Sequence, residues 1–399
     1  MIKSLTVENF KSIDKLDIEL GRVTVLIGEN GSGKSNILEA IALAGAAAAD
    51  KLDNEFLASR GIRVTNPEVM RAAFLAENTS KNIPFKISAD NEFAISFELK
   101  NSNEPYSTWG VTSEVAANLT AEEKDKVDAL ILENLKQQNW TLWASLQKAN
   151  EDKNHSDFRL ILEPTIFSTT RKIIFSDPNI HPIRDFLIYA PENSALRKFE
   201  EEGQIQPLGI RGEGLFKLLG VLSKDTEAFP AIKTGLQVLG WFKDFKLSDG
   251  NHPDRKIQLE DKYLPPEINL LDQKSANEGF LFLLFYLALF TSKNTPKFFA
   301  IDNIEASFNP KLCEKLMQEL TKLAKQFDKQ VIFTTHNPSI LDGLNLDDPE
   351  QILYVVNRTP DGYTKLKRIQ KPKPIADTKP TKLSAAFLNG YLGGLPKGF

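Results

Sequence analysis

The chain has 399 residues, of which 41% are hydrophobic and 26% charged, a composition typical of a soluble protein long enough for a large core or for two lobes. A formal charge of −4 excludes a global attraction to nucleic acid, so any such contact needs a local basic patch. The single cysteine, Cys313, excludes an internal disulfide and a zinc site built from several thiolates, and it favours the reducing cytoplasm.

The first forty residues predict three strands and a helix. Apolar and polar residues alternate in "SLTVENF" and "LDIEL", as in half-buried strands, whereas "VTVLIG" is a continuous apolar run typical of a strand covered on both faces. The Ala-rich stretch from Asn36 to Ala49 keeps its apolar residues near one face and predicts a helix.

Between that strand and that helix lies "GENGSGKS", which matches the phosphate-loop pattern G-x-x-x-x-G-K-[ST] in the context that the pattern requires. Gly28, Gly31 and Gly33 let the backbone N–H groups curl around phosphate oxygens. Lys34 is predicted to reach the β- and γ-phosphates, and the Ser35 hydroxyl to hold Mg²⁺. The alternative is a glycine-rich turn that ends by chance in Gly-Lys-Ser.

The middle of the chain is less regular. "PFKIS" and "FAISFEL" predict a hairpin, and "TAEEKDKVDALILENL" predicts an amphipathic helix that opens with a capping-box pair, Thr120 and Glu123. No heptad pattern is sustained, so we expect no long coiled coil.

From Asn269 onwards, helical and strand patterns alternate. In order they are the apolar helix "GFLFLLFYLALF", the strand "KFFAID", the amphipathic helix "PKLCEKLMQELTKLAKQF", and the strands "QVIFTT" and "ILYVV". This alternation predicts a mainly parallel sheet in an α/β fold. The apolar helix is too short to span a bilayer and the N-terminus lacks the apolar core of a signal peptide, so we expect a cytoplasmic protein without membrane partners.

Two polar residues follow predicted strands of this region. Asp302, after "FFAI", is predicted to hold a magnesium-bound water, although it can also merely cap the following turn. His336, after "VIFTT", occupies the strand end where open α/β sheets place ligand-contacting groups, and its alternative is likewise a cap.

These motifs together resemble the SMC/RecF-type branch of the ABC ATPases. "VENFKSI" and "GENGSGKSNILEAI" look like the opening of that branch, "KSANEGFLFLL" like its signature segment, "FFAIDNIEASFNP" like its Walker B strand and D-loop, and "VIFTTHNPSIL" like its switch-histidine segment. More specifically, the chain is similar to stand-alone ATPases related to overcoming-lysogenization-defect proteins, many of which serve bacterial antiphage defence systems.

The resemblance implies ATP and Mg²⁺ as ligands and a homodimer or higher homo-oligomer, in which two ATP molecules lie between two heads. It implies ATP contacts at Gly28, Asn30, Gly31, Gly33, Lys34, Ser35, Asn36 and Lys11, metal contacts at Ser35 and Asp302, catalytic roles for Asp302, Asn303 and His336, and a signature formed by Ser275, Asn277 and Gly279 that faces the partner's phosphate loop. For Lys11, a solvated lysine at a strand end is an equal alternative.

Two positions depart from that family's pattern. Asn277 stands where the signature usually has a serine, and Ser275 lies two residues earlier, so either can serve. Asn303 stands where the Walker B segment usually has a glutamate. Because an amide orients water but takes no proton at neutral pH, we expect slow hydrolysis. Glu305 is an alternative base only if the turn brings it inward.

The resemblance divides the chain into four segments. Residues 1–80 are expected to form the N-terminal part of an ABC-type ATPase head, 81–265 an inserted irregular α+β lobe, 266–362 the C-terminal part of the head, and 363–399 a basic, Pro-rich linker with a docking tail. The basic tract 365–382 is a solvated linker or a nucleic-acid contact. The apolar "AAFLNGYLGGLP" that follows is expected to dock on the head or on a partner.

The leading hypothesis is an ATP-binding, slowly hydrolysing ATPase subunit that regulates a separate effector, a nuclease or toxin, in prokaryotic antiviral defence. A RecF-like DNA repair ATPase is the first alternative, and it predicts hydrolysis stimulated by DNA. A scaffold with structural, unhydrolysed ATP is the second.

Overall fold

The computed structural model describes residues 1–90, 94–117, 178, 180–198, 207–248, 256–265, 271–371 and 382–395. The strands are β1 Ile2–Phe10, β2 Ile13–Glu19, β3 Val23–Ile27, β4 Ile83–Ala89, β5 Ala94–Lys100, β6 Gly110–Ala117, β7 Ile188–Tyr189, β8 Phe242–Leu247, β9 Ile257–Asp261, β10 Leu271–Asp272, β11 Phe298–Ile301, β12 Gln330–Thr335, β13 Gln351–Arg358 and β14 Thr364–Ile369. The α-helices are α1 Lys34–Ala48, α2 Asn54–Ser59, α3 Pro67–Met70, α4 Asn193–Arg197, α5 Leu215–Leu222, α6 Ala228–Leu236, α7 Glu278–Thr291, α8 Pro310–Gln326 and α9 Leu383–Leu388, with 3₁₀ turns at Ala76–Ser80, His181–Asp185 and Pro338–Gly343. The amphipathic helix predicted from Thr120 lies outside the described residues.

The chain forms two compact units. The first contains Met1–Glu19, Leu43–Leu57 and Val64–Asp185, and its antiparallel sheet has the order β2-β1-β4-β5-β6. The predicted hairpin is confirmed as β4 and β5, where Phe85 and Phe97 face each other with ring centroids 5.3 Å apart. The fully buried Arg71 of this unit donates to the carbonyl of Asn101 and stacks on Trp109, so its guanidinium is held by a hydrogen bond and a cation–π contact.

The second unit contains Leu20–Ala42, Ala58–Arg63 and Phe186–Phe399. Its main sheet has the order β14-β13-β3-β12-β11-β7, and every neighbouring pair is parallel except β13 with β14. This confirms the expectation of a mixed, mainly parallel sheet. The register aligns Ile27 with Thr335 and Ile301 with Phe333. The carboxyl ends of β3, β11 and β12 therefore meet at one edge, and the phosphate loop, Asp302 and His336 all follow directly from that edge.

Helix α7 supplies much of the core beneath this sheet, and every side chain from Phe280 to Thr291 is buried. The prediction of a buried helix is thus confirmed, and no helix in the described part of the chain is long and apolar enough to cross a membrane. The longest helix in the described ranges is α8 with 17 residues, so they contain no long coiled coil. Its buried face includes Cys313, Leu316 and Leu320, as its amphipathic pattern predicts.

The C-terminal tail docks on the second unit, one of the two outcomes expected for it. Ala386, Phe387 and Leu392 are buried in the core of that unit, and the backbone N–H of Ser384 donates to Asp342 Oδ1 over 3.0 Å. Of the basic tract, residues 372–381 lie outside the described residues.

A buried lysine stabilises the turn that leads from α7 into β11. The Lys329 side chain is 2% exposed, and its Nζ donates to the carbonyls of Ser292 (2.7 Å), Thr295 (3.0 Å) and Pro296 (3.2 Å) and to the Thr295 hydroxyl (3.0 Å). Because buried carbonyls without donors are costly, this ammonium holds together the approach to the Asp302 strand.

We expect Lys329→Met to lower the free energy of unfolding by about 1–3 kcal/mol, since it keeps the length of the side chain but removes the donor that the buried carbonyls share. The matched control is Lys297→Met, which removes an exposed lysine paired with Asp328 and should change stability by less than about 1 kcal/mol. Urea unfolding followed by circular dichroism measures both variants. Equal stabilities would contradict this role for Lys329.

Candidate nucleotide site

The phosphate loop joins β3 to α1 in the conformation that its glycines predict. Gly31 and Gly33 have φ angles of +77° and +105°, which residues with a side chain adopt only under strain. A Cβ atom on Gly28 would lie 2.2 Å from the Val356 carbonyl oxygen, so β13 can approach the loop only because position 28 is glycine. Helix α1 begins at Lys34, and its N-terminus therefore opens towards the loop.

Lys34 points into this loop. Its side chain is 5% exposed, and Nζ donates to the carbonyls of Gly28 (2.9 Å) and Glu29 (3.0 Å). Burial lowers the pKa of Lys34 to about 8, although the carboxylates of Asp302 and Glu305 act in the opposite direction. The Lys34 ammonium is therefore partly desolvated before any phosphate binds, and its pKa lies close to neutral pH.

Asp302 connects the phosphate loop to the neighbouring strands. Its Oδ2 accepts a hydrogen bond from the Ser35 hydroxyl over 3.1 Å, and its Oδ1 accepts one from the Thr334 hydroxyl. Ser35 and Asp302 thus meet although 267 residues separate them in sequence. Hydroxyl and carboxylate oxygens suit Mg²⁺, and the Ser32 hydroxyl of the same loop is buried without a partner among the described residues. The residues present therefore fit a metal-bound phosphate group.

His336 adjoins Lys34 at the same edge of the sheet. Its Nδ1 lies 3.4 Å from Lys34 Nζ. Burial first, and then the positive charge of Lys34, lowers the pKa of His336, whereas Glu305 favours the charged imidazole. A largely neutral imidazole next to an ammonium can accept a hydrogen bond through Nδ1.

Asn303 is exposed and has a φ angle of +55°, a left-handed conformation that Asn adopts more readily than most residues. Its backbone N–H donates to the Thr334 hydroxyl over 2.9 Å. The turn that Asn303 begins does bring Glu305 inward: Oε1 accepts a hydrogen bond from the backbone N–H of His336 over 2.8 Å. An asparagine thus suits the backbone here, apart from any role in catalysis.

The signature residues lie at the start of α7. The Ser275 hydroxyl donates to Asp272 Oδ1 (2.9 Å), and Asn277 caps the helix by accepting from the Phe280 N–H (2.8 Å). A Cβ atom on Gly279 would lie 3.1 Å from the carbonyl oxygen of Ser307, in the turn after β11. Ser275 and Asn277 are exposed, so both are accessible on the surface of the unit.

Other predicted contacts lie around the loop or outside this unit. Asn30 is exposed at the tip of the loop. Asn36, in the first turn of α1, accepts a hydrogen bond from Arg63, which also pairs with the buried Glu39. Lys11 belongs to the first unit, where its φ angle is +47° in the turn between β1 and β2, and its contribution to nucleotide binding stays a prediction.

Sequence reasoning missed several residues that brace the site. Arg358 Nε donates to the Gly31 carbonyl (2.6 Å), and the Thr364 hydroxyl donates to the Ser32 carbonyl (3.2 Å), so the hairpin of β13 and β14 supports the loop. Arg197 of α4 donates to the carbonyls of Gln273, Lys274 and Ala276 and fixes the segment before α7. None of these residues belongs to a local motif, and only the tertiary fold reveals them.

One family model spans the residues of this site. Residues 23–342 match the family model described as "AAA domain, putative AbiEii toxin, Type IV TA system". That range covers more than half of the chain and includes the phosphate loop, Asp302 and His336.

Two curated proteins are similar over short stretches. An OLD nuclease of Thermus scotoductus is 46% identical over 43 residues, which are 11% of this chain and 8% of that protein. A DNA replication and repair protein RecF of Rickettsia felis is 51% identical over 43 residues, which are 10% of this chain and 12% of that protein. The chain thus matches well under two thirds of the length of these relatives.

A solved structure shares the fold. The structure of an SMC head bound to the C-terminal winged-helix domain of ScpA has a TM-score of 0.52 and 14% sequence identity, and the alignment covers 92% of this chain and 97% of that one. The chain belongs to the family described as AAA domain, putative AbiEii toxin, Type IV TA system; it is similar to an OLD nuclease and a RecF protein over short stretches, and it shares the fold of an SMC head.

Proposed function

We propose that this ATPase binds Mg²⁺-ATP, hydrolyses it slowly, and uses the bound nucleotide to close head-to-head dimers that regulate an effector subunit in antiviral defence. The observation that carries the proposal is the 3.1 Å contact between the Ser35 hydroxyl and Asp302, next to a buried Lys34. A loop for phosphates, an acidic partner and a buried ammonium at one sheet edge are the parts that phosphoryl transfer from ATP requires.

Phosphate binding, metal binding and sensing of the γ-phosphate are assigned to different residues of the site. The backbone N–H groups from Gly28 to Lys34 and the N-terminus of α1 bind the phosphates, and Lys34 neutralises the terminal ones. Ser35 and Asp302 would hold Mg²⁺, which supplies charge neutralisation between the β- and γ-phosphates when bound. His336 senses the γ-phosphate from the position that its contact with Lys34 gives it.

The slow rate follows from position 303. An amide can orient the attacking water by hydrogen bonds, but it takes no proton at neutral pH. Asn303 is exposed at the mouth of the site, so its side chain is free to contact water there. Bound ATP then persists long enough to hold two heads together.

Dimer closure is supported by the signature segment. Ser275 and Asn277 are exposed, while Arg197 and Asp272 hold the segment in one conformation. A preorganised, exposed polar segment suits contact with phosphates held by a second copy. The effector, a nuclease or toxin, is proposed as a separate chain.

A RecF-like repair ATPase is the second candidate, and one observation favours it. The edge strand β14 exposes Lys365, Lys367 and Arg368 on the surface of the unit, where a nucleic-acid backbone can reach them. This candidate requires that DNA stimulates hydrolysis and that the stimulation weakens with added salt.

We predict slow steady-state ATP hydrolysis that Asn303→Asp accelerates by at least about tenfold, since a positioned proton acceptor typically contributes 10²–10⁴-fold and Asp tolerates a positive φ angle. A phosphate-release assay with Mg²⁺ measures this. The matched control is Asn303→Gly, which fits the backbone but adds no carboxylate and should give no acceleration. Brisk turnover by the wild type, with no gain from Asn303→Asp, would show that the base lies elsewhere.

We also predict that affinity for Mg²⁺-AMP-PNP falls as the pH rises above about 8, approaching tenfold per pH unit. Burial lowers the pKa of Lys34 to about 8 in the free protein, so the amine is increasingly neutral above that pH and must take up a proton when phosphate binds. Calorimetry in two buffers of different ionisation enthalpy measures affinity and proton uptake together. Lys34→Ala should abolish both, and a flat affinity without proton uptake would refute the assignment.

A further inference from the structure

Glu305 is a half-buried carboxylate whose two oxygens have different surroundings. It lies in the turn between β11 and α8, where Oε1 accepts the backbone N–H of His336 over 2.8 Å. Oε2 is shielded from solvent and has no hydrogen-bond partner among the described residues. Leaving a buried carboxylate oxygen without a partner is costly. The hydrogen bond made by Oε1 is therefore the contact that can account for the position of this side chain.

The charge of Glu305 reaches both the nucleotide site and the core behind it. It favours the charged forms of Lys34 and His336. On the other side it adds to burial in raising the pKa of the Tyr286 phenol on α7 and that of the Cys313 thiol, which rises to about 11. Glu305 therefore lies between the phosphate loop and the two helices that support β11.

The turn that contains Glu305 is tied to the end of β12 at successive residues. The N–H of Asn303 donates to the Thr334 hydroxyl (2.9 Å), the N–H of Ile304 donates to the Thr334 carbonyl (3.1 Å), and the N–H of His336 donates to Glu305. The last of these is made by the Glu305 side chain, and it fixes the residue whose imidazole lies beside Lys34.

We propose that Glu305 is a positioning residue, which holds the backbone of His336 so that its imidazole stays beside Lys34 and faces the terminal phosphate. The inference rests on the proposed function, because it assumes that His336 distinguishes ATP from ADP. A role as the base that activates water is not favoured, since Oε2 is closed to solvent and Oε1 is already occupied.

The test compares Glu305→Gln with Glu305→Met, two side chains of similar size that differ in the acceptor oxygen. Calorimetry with Mg²⁺ gives the affinities for AMP-PNP and for ADP, and their ratio reports contact with the terminal phosphate independently of hydrolysis. We expect Gln to keep the wild-type ratio within about threefold and Met to lower it by about tenfold, which corresponds to about 1.4 kcal/mol.

A double-mutant cycle identifies the route of the effect. His336→Ala should lower the ratio as much as Glu305→Met does, and the double variant should show no further loss, because both changes remove the same interaction. Melting temperatures verify folding, and Glu305→Ala replaces Glu305→Met if the methionine does not fold.

Four results would overturn the inference. If Glu305→Gln lowers the affinity ratio as much as Glu305→Met does, the negative charge matters and not the acceptor oxygen. If the losses in this ratio add in the double variant, Glu305 does not act through His336. If the wild type binds both nucleotides and Glu305→Met keeps their ratio, the inference alone is wrong. If the wild type binds neither nucleotide, the proposed function fails and the inference fails with it.

Discussion

The site depends on the parallel register of three neighbouring strands. Because Ile27 pairs with Thr335 and Ile301 with Phe333, the strands β3, β11 and β12 end within two residues of one another, and the residues that follow them form one polar edge. The hydrogen bond from Ser35 to Asp302 spans 267 residues of sequence and exists only in this register. A shift of β11 by one residue would turn its inward side chains to the opposite face and remove Asp302 from the loop.

Burial shifts the pKa values of Lys34 and His336 at this edge of the sheet. Strand β3 is buried throughout and helix α7 is buried from Phe280 to Thr291. Lys34 is itself largely buried, is held by the carbonyls of Gly28 and Glu29, and lacks a direct carboxylate partner in the described structure. A cation in such a place binds phosphate strongly because little solvation remains to be lost. The same burial favours a neutral His336, and two neighbouring groups therefore respond to one incoming charge.

Local sequence patterns predicted the phosphate loop, the buried helix and the alternation of helices and strands in the C-terminal half, because periodicity and glycine placement act within a few residues. They also predicted Asp302 and His336, which follow strongly apolar strands. They could not predict the braces Arg358 and Thr364, which contact residues more than 300 positions away. The inward turn of Glu305 was likewise unpredictable, since it depends on positive φ angles at Asn303 and Ser307 and on the backbone of another strand.

Multi-angle light scattering tests most directly whether bound ATP joins two heads. With ATP and Mg²⁺ we expect the molar mass to roughly double relative to the nucleotide-free protein, as for closure of a symmetric dimer. With ADP, or for Lys34→Ala with ATP, we expect no increase. An unchanged mass under conditions in which ATP is demonstrably bound would show that ATP does not join the heads.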